Sequence, residues 1–246
     1  MNECRGDGYL AKEFWPAAKI RKETKLNLIH TLYEPVGAGP HPTILTLHGR
    51  GANAFDLLGL APYICNGKCL LICPQGPLET PIGPGATGYA WYPMTMGGPP
   101  DVSAILSSRQ KLQEFLGECL ERYPIDPKKL VVLGFSQGGV MAYTLALTMP
   151  ERFAALVALS SWLPQEAFEQ APTDAVQSLP TLVHHGARDE LIDVNRARAS
   201  VEKLREWRVP VTYREYEMGH EITPKSLTDL SAWLEEKVLS PIVLAR

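Results

Sequence analysis

No stretch of this 246-residue sequence approaches the roughly 20 consecutive apolar residues that a membrane-spanning helix needs. Nor is there a dense block of Lys and Arg. With 24 basic and 27 acidic residues the formal net charge is −3, which argues against a nucleic-acid-binding surface. Cysteine is sparse, and Cys65, Cys69 and Cys73 fall four apart instead of in the C-x2-C spacing of a zinc site. No matching histidines accompany them, so they read as buried or partly buried free thiols in a reducing compartment, with no bound metal. The first residues, MNECRGDGYLAKEF, hold no apolar core of the kind that marks a secretory signal, and a cytoplasmic setting is the expectation. There is no linker-like break in composition and no internal repeat, so a single domain over 1–246 is the simplest organisation.

Against these absences one stretch stands out. Leu130 to Met141 reads LVVLGFSQGGVM, an apolar β-like run entering G-x-S-x-G, followed by a helix-like pattern. The bare pattern is expected by chance in roughly one chain in ten of this length at average residue usage. The strand before it and the helix after it are what make it informative. In that setting Ser136 sits on a sharp strand-to-helix turn with its hydroxyl lifted clear of the sheet. The flanking glycines are needed because side chains there collide with neighbouring backbone.

The remaining elements follow from periodicity and punctuation. Leu26–Tyr33 alternates as a half-buried strand near a sheet edge, and Thr43–Leu47 reads as a short strand. Phe55–Tyr63 is predicted as a helix and Cys69–Cys73 as a buried strand. From Pro74 to Pro100 prolines and glycines crowd the chain, which predicts a long loop that is either functional or mobile. Asp101 caps the next predicted helix, which stops before Pro124. The helix after Ser136 runs towards Met149. Strands are expected at Ala154–Leu159, Thr181–His185 and Val211–Tyr216, with helices over 195–207 and from Pro224 to Val238. Strands alternating with helices indicate an α/β fold with a mainly parallel sheet covered on both faces. The polar residues of interest fall just after successive strands, where open α/β sheets place ligands.

A serine hydroxyl becomes a useful nucleophile only when a base takes its proton and an acid orients that base. Of the three histidines after Ser136, His184 and His185 lie at a strand end. His220 falls in a Gly-His turn after the last strand, free to reach the top of the sheet, and is the expected base. Asp189, four residues beyond His185, is the expected acid; its rival Asp193 reads instead as the cap of the following helix. An oxyanion hole needs two backbone N–H donors. Gln137 offers one, and Arg50, in His48-Gly49-Arg50-Gly51, the other. The His48 ring is expected to brace that loop rather than take part in chemistry. Trp91, Tyr92, Trp162 and Leu163 are candidate apolar walls for an acyl group.

In order along the chain, LTLHGRGAN, AWYP, GFSQGG, ALSSWLP, HGARDELI and MGHEI resemble the phospholipase/carboxylesterase family of α/β-hydrolases over roughly residues 43–238. The resemblance implies the triad Ser136, Asp189 and His220, and an oxyanion hole from the N–H groups of Arg50 and Gln137. It also implies a compact, lid-poor, cofactor-free enzyme acting on small-molecule esters, of a kind that often pairs into homodimers. Two segments depart from the thioesterase members. Arg50-Gly51-Ala52-Asn53 stands where they carry Leu-Gly-Asp, and Trp91-Tyr92-Pro93 where they carry Trp-Phe-Asp. The expectation is therefore a serine carboxylesterase for short- to medium-chain esters. A thioesterase or lysophospholipase is the alternative within the same chemistry, and an inactive hydrolase-fold binding protein the alternative from another class.

Overall fold

The computed structural model describes residues 19–23, 26–94 and 98–240; Cys4 and most of the opening segment, which gives little sequence signal, lie outside them. The strands are β1 (Lys19–Glu23), β2 (His30–Glu34), β3 (His41–Leu47), β4 (Leu70–Pro74), β5 (Leu78–Gly83), β6 (Ala86–Ala90), β7 (Ile125–Phe135), β8 (Ala155–Leu159), β9 (Thr181–Gly186) and β10 (Val211–Tyr216). Eight of them form one sheet in the order β1-β2-β4-β3-β7-β8-β9-β10. The run from β4 to β10 is parallel, and β2 and β1 add antiparallel at one edge. The α-helices are α1 (Val102–Arg122), α2 (Gln137–Thr148), α3 (Val194–Glu206) and α4 (Pro224–Leu234).

The sheet is buried on both faces, which is why its central strands read as unbroken apolar runs. Alternate residues of β7 serve opposite cores. Leu130 and Val132 join Phe115 of α1, Val140 of α2 and Leu204 of α3. Val131 and Leu133 join Leu57, Leu58 and, from α4, Leu230 and Trp233. Among the described residues no helix is long and apolar enough to cross a membrane. Cys65, Cys69, Cys73 and Cys119 are free and buried.

The structure differs from the sequence expectations in three places. The early strand begins only at His30 and lies inside the edge, because β1 pairs on its outer side. Phe55–Tyr63 is not an α-helix but turns around a short 3-10 segment, Leu57–Leu60; Gly59 and Pro62 both act against a regular helix there. The Pro74–Pro100 region is not a plain loop, since β5 and β6 pair as an antiparallel hairpin. Pro81 is tolerated because a two-stranded ribbon leaves outward-facing N–H positions that a proline can occupy.

Candidate active site

The turn between β7 and α2 places Ser136 at φ 54°, ψ −119°, a backbone region that non-glycine residues enter only when the surroundings enforce it. The enforcement is visible. The Ser136 N–H donates to Leu159 O at 2.9 Å, and Ser161 Oγ donates to Ser136 O at 2.8 Å. A Cβ on Gly138 would stand 1.9 Å from Leu47 O, so only glycine lets α2 start this close to β3. Next to this turn, the backbone N–H groups of Gln137 and Arg50 donate to no acceptor among the described residues. Gln137 also opens α2, where the helix dipole favours negative charge.

The Arg50 loop is braced from three sides. The Gly76 N–H donates to His48 Nε2 at 2.9 Å, which leaves the proton on Nδ1 to be donated to Gly49 O at 2.7 Å. Burial pushes the His48 pKa down to about 4, in keeping with a neutral structural ring. The Trp91 indole N–H donates to His48 O at 2.9 Å. From above, the β5–β6 hairpin docks on the loop: Gly51 N–H to Tyr89 O and Tyr89 N–H to Ala52 O, each at 2.8 Å, and Arg50 Nη2 to Thr80 Oγ1 at 3.1 Å.

Asp189 and His220 meet on the other side of Ser136. The carboxylate accepts the His220 Nδ1 proton on Oδ2 at 2.8 Å. Its Oδ1 accepts the N–H groups of Leu191 at 3.0 Å and Ile192 at 2.9 Å. The Asp189 side chain is fully buried, whereas His220 keeps 15% of its side chain exposed. The His220 ring packs on Phe135, the residue before Ser136, with centroids 4.9 Å apart. Among the described residues no hydrogen bond joins Ser136 Oγ to His220; such bonds are commonly long before substrate is bound. Asp193 does cap a helix, accepting from Asn195 N at 2.8 Å as α3 begins.

Of the four expected acyl walls, three belong to the core. Trp91, Tyr92 and Leu163 are buried, and only Trp162 keeps open surface, with the Arg196 guanidinium 3.9 Å above its ring. The reason lies in the Gln137 side chain, whose role the sequence did not disclose. Its Oε1 accepts the Trp91 N–H at 2.7 Å and its Nε2 donates to Tyr92 O at 2.8 Å, drawing that segment inward. Exposed apolar groups include Leu191, whose backbone N–H donates to Asp189, and Ile82 of the hairpin, against Gly51. His185 was also unforeseen as part of the site; a histidine four residues before the acid was the available signal. Among the described residues no group of three or more His, Cys, Asp or Glu is arranged to hold a metal ion.

Comparison with known proteins gives a consistent picture. The family model described as Phospholipase/Carboxylesterase matches residues 34–238. An acyl-protein thioesterase 1 of Gibberella zeae is 30% identical over 230 residues, 85% of this chain and 96% of that protein. A probable carboxylesterase, SOBER1-like, of Arabidopsis thaliana is 25% identical over 210 residues, 80% of this chain and 79% of that one. Among solved structures, a carboxylesterase from Mesorhizobium loti superposes with a TM-score of 0.76 at 21% identity, covering 87% of this chain and 98% of its own. Esterase PE8 superposes at 0.75 and 22% identity, covering 89% and 99%. At those identities the structural likeness speaks for the fold.

Proposed function

We propose, from the premise that the chain belongs to the phospholipase/carboxylesterase family and is therefore a serine hydrolase of the esterase–thioesterase kind, that it hydrolyses short- to medium-chain carboxylic esters through an acyl-enzyme on Ser136. The observation that carries the reading is the 2.8 Å contact between the buried Asp189 carboxylate and His220 Nδ1. That contact turns the Nε2 lone pair of His220 outward as a base.

In the proposed reaction His220 takes the Ser136 proton as Oγ attacks the ester carbonyl. Asp189 holds the ring in the required tautomer and stabilises the imidazolium. The oxyanion accepts from the N–H groups of Arg50 and Gln137, which stabilise the negative charge as it develops. His220 then returns the proton to the departing alcohol, and water repeats the cycle to release the acid. No metal or cofactor is needed for these steps. Trp162 and Leu191 supply apolar contact for the acyl chain, in keeping with mostly apolar small-molecule sites.

A thioesterase reading draws on the names of two relatives, both called acyl-protein thioesterase 1. The differing segments at Arg50–Asn53 and Trp91–Pro93 favour the ester. Matched p-nitrophenyl esters and acyl-CoA thioesters from acetyl to palmitoyl separate the two. Esters of two to eight carbons are expected to give the highest kcat/KM. A profile dominated by long-chain thioesters would overturn the ester assignment while leaving the nucleophile in place.

A further inference from the structure

His185, at the end of β9, is fully buried, and nothing in the proposed reaction uses it. Its Nε2 lies 2.7 Å from Ile192 O and 3.4 Å from Asp189 Oδ2, so its proton is donated to the Ile192 carbonyl and lies alongside the carboxylate. Among the described residues its Nδ1 has no partner. A buried acceptor without a partner costs about 1–3 kcal/mol, so an apolar side chain would serve this position better if packing were all it did.

The bonds form a closed circuit. Asp189 Oδ1 holds the N–H of Leu191 and of Ile192, while His185 holds the C=O of Ile192. The turn over 189–192 is thus gripped on both its donor and its acceptor side. Swinging the carboxylate away from His220 would break bonds at both ends. We propose that His185 is a positioning residue, which locks this turn and shares Asp189 Oδ2 so that the carboxylate offers His220 one fixed direction of hydrogen bonding. The inference rests on the proposed roles of Asp189 and His220.

Two charged groups nearby are engaged elsewhere. Glu215 of β10 faces His185 in the sheet register and is held by Arg198 at 2.7 Å and Tyr213 at 2.8 Å. Glu221 accepts the Gly219 N–H at 3.3 Å.

The test compares His185→Leu with His185→Gln, whose amide N–H can stand in for Nε2–H. For the leucine variant kcat should fall about 10- to 100-fold, the scale of a misplaced catalytic group, with KM within about threefold. Glutamine should restore kcat. A leucine variant within about twofold of wild-type kcat, or a glutamine variant as impaired as leucine, would overturn the inference. If the leucine variant does not fold, His185→Asn replaces it, since its shorter amide falls short of Ile192 O. Equal activity of the asparagine and glutamine variants then counts against positioning. Wild-type labelling by a fluorophosphonate keeps the two proposals apart. An unlabelled wild type contradicts the reaction, whereas a labelled wild type indifferent to position 185 contradicts only the role of His185.

Discussion

Gly186 and Gly219 lie backbone against backbone: a Cβ on Gly186 would stand 2.3 Å from Gly219 O. This contact closes the gap between the loops after β9 and β10 and delivers His220 to Asp189, 31 residues apart in sequence. In the proposed reaction Asp189 orients the base and does not touch substrate. Asp189→Asn should therefore lower kcat by roughly 10²- to 10⁴-fold with little change in KM, because an amide no longer enforces the Nδ1–H tautomer. Asp193→Asn should leave kcat near wild type, since asparagine caps a helix about as well as aspartate. Steady-state kinetics on p-nitrophenyl butyrate checks both, and a reversed ranking would name the wrong acid.

Trp91 and Trp162 should separate cleanly. Trp91 is buried against His48 and its indole N–H is engaged, so Trp91→Ala should cost stability on the order of 3–5 kcal/mol. Trp162, partly open, should act on selectivity instead. Trp162→Ala is expected to change the preferred acyl length while discrimination between neighbouring lengths stays modest, about 1–3 kcal/mol per methylene. Urea denaturation and a chain-length series distinguish the two. An unchanged length profile in Trp162→Ala would place the acyl group elsewhere.

Burial pushes both His48 and His184 down to about 4 from an ordinary value of 6.5. The folded state therefore binds fewer protons than the unfolded chain between those limits, and stability falls as pH drops from about 6.5 to 4. Each ring contributes on the order of 2–3 kcal/mol to that fall. Urea midpoints at pH 7 and pH 4.5 should differ accordingly, and His48→Gln should shrink the difference. An equal pH dependence in wild type and His48→Gln would show that His48 does not resist protonation.

The β5–β6 hairpin should matter to catalysis through the Arg50 loop. A Cβ on Gly88 would stand 1.9 Å from Gly51 O, whereas one on Gly83 meets nothing within 4 Å. Gly88→Ala must lift the hairpin from the loop and disturb the Arg50 N–H. An oxyanion donor is worth about 10²- to 10³-fold in kcat, so a loss of up to that size is expected, with Gly83→Ala near wild type. Equal kinetics for the two alanine variants would detach the hairpin from the reaction.

How much of this was legible in the sequence depended on how local the cause was. Leu130–Leu133 and Ala155–Leu159 announced themselves because strands buried on both faces have no polar alternation to confuse them. Asp101 and Asp193 were readable as caps, since a cap bonds a backbone only two or three residues away. Pairing partners were not readable. The β5–β6 ribbon hides behind Pro81 and its glycines, and the place of β2 inside the edge depended on β1. Trp91 misled because its burial is decided by the Gln137 side chain, 46 residues further on. His185 escaped for a related reason: its contact with Ile192 exists only once the turn has closed.

The acyl-enzyme itself is the most direct test of the account. Wild type and Ser136→Ala would each be mixed with a slowly deacylating p-nitrophenyl ester, quenched in acid within seconds, and weighed intact and as peptides. Wild type should gain the mass of one acyl group on the peptide containing Ser136, with a stoichiometric burst of p-nitrophenol. Ser136→Ala should gain none and lose turnover by several orders of magnitude. A Ser136→Ala protein that still turns over the ester at near wild-type kcat, or an acyl group mapped to another residue, would contradict the account.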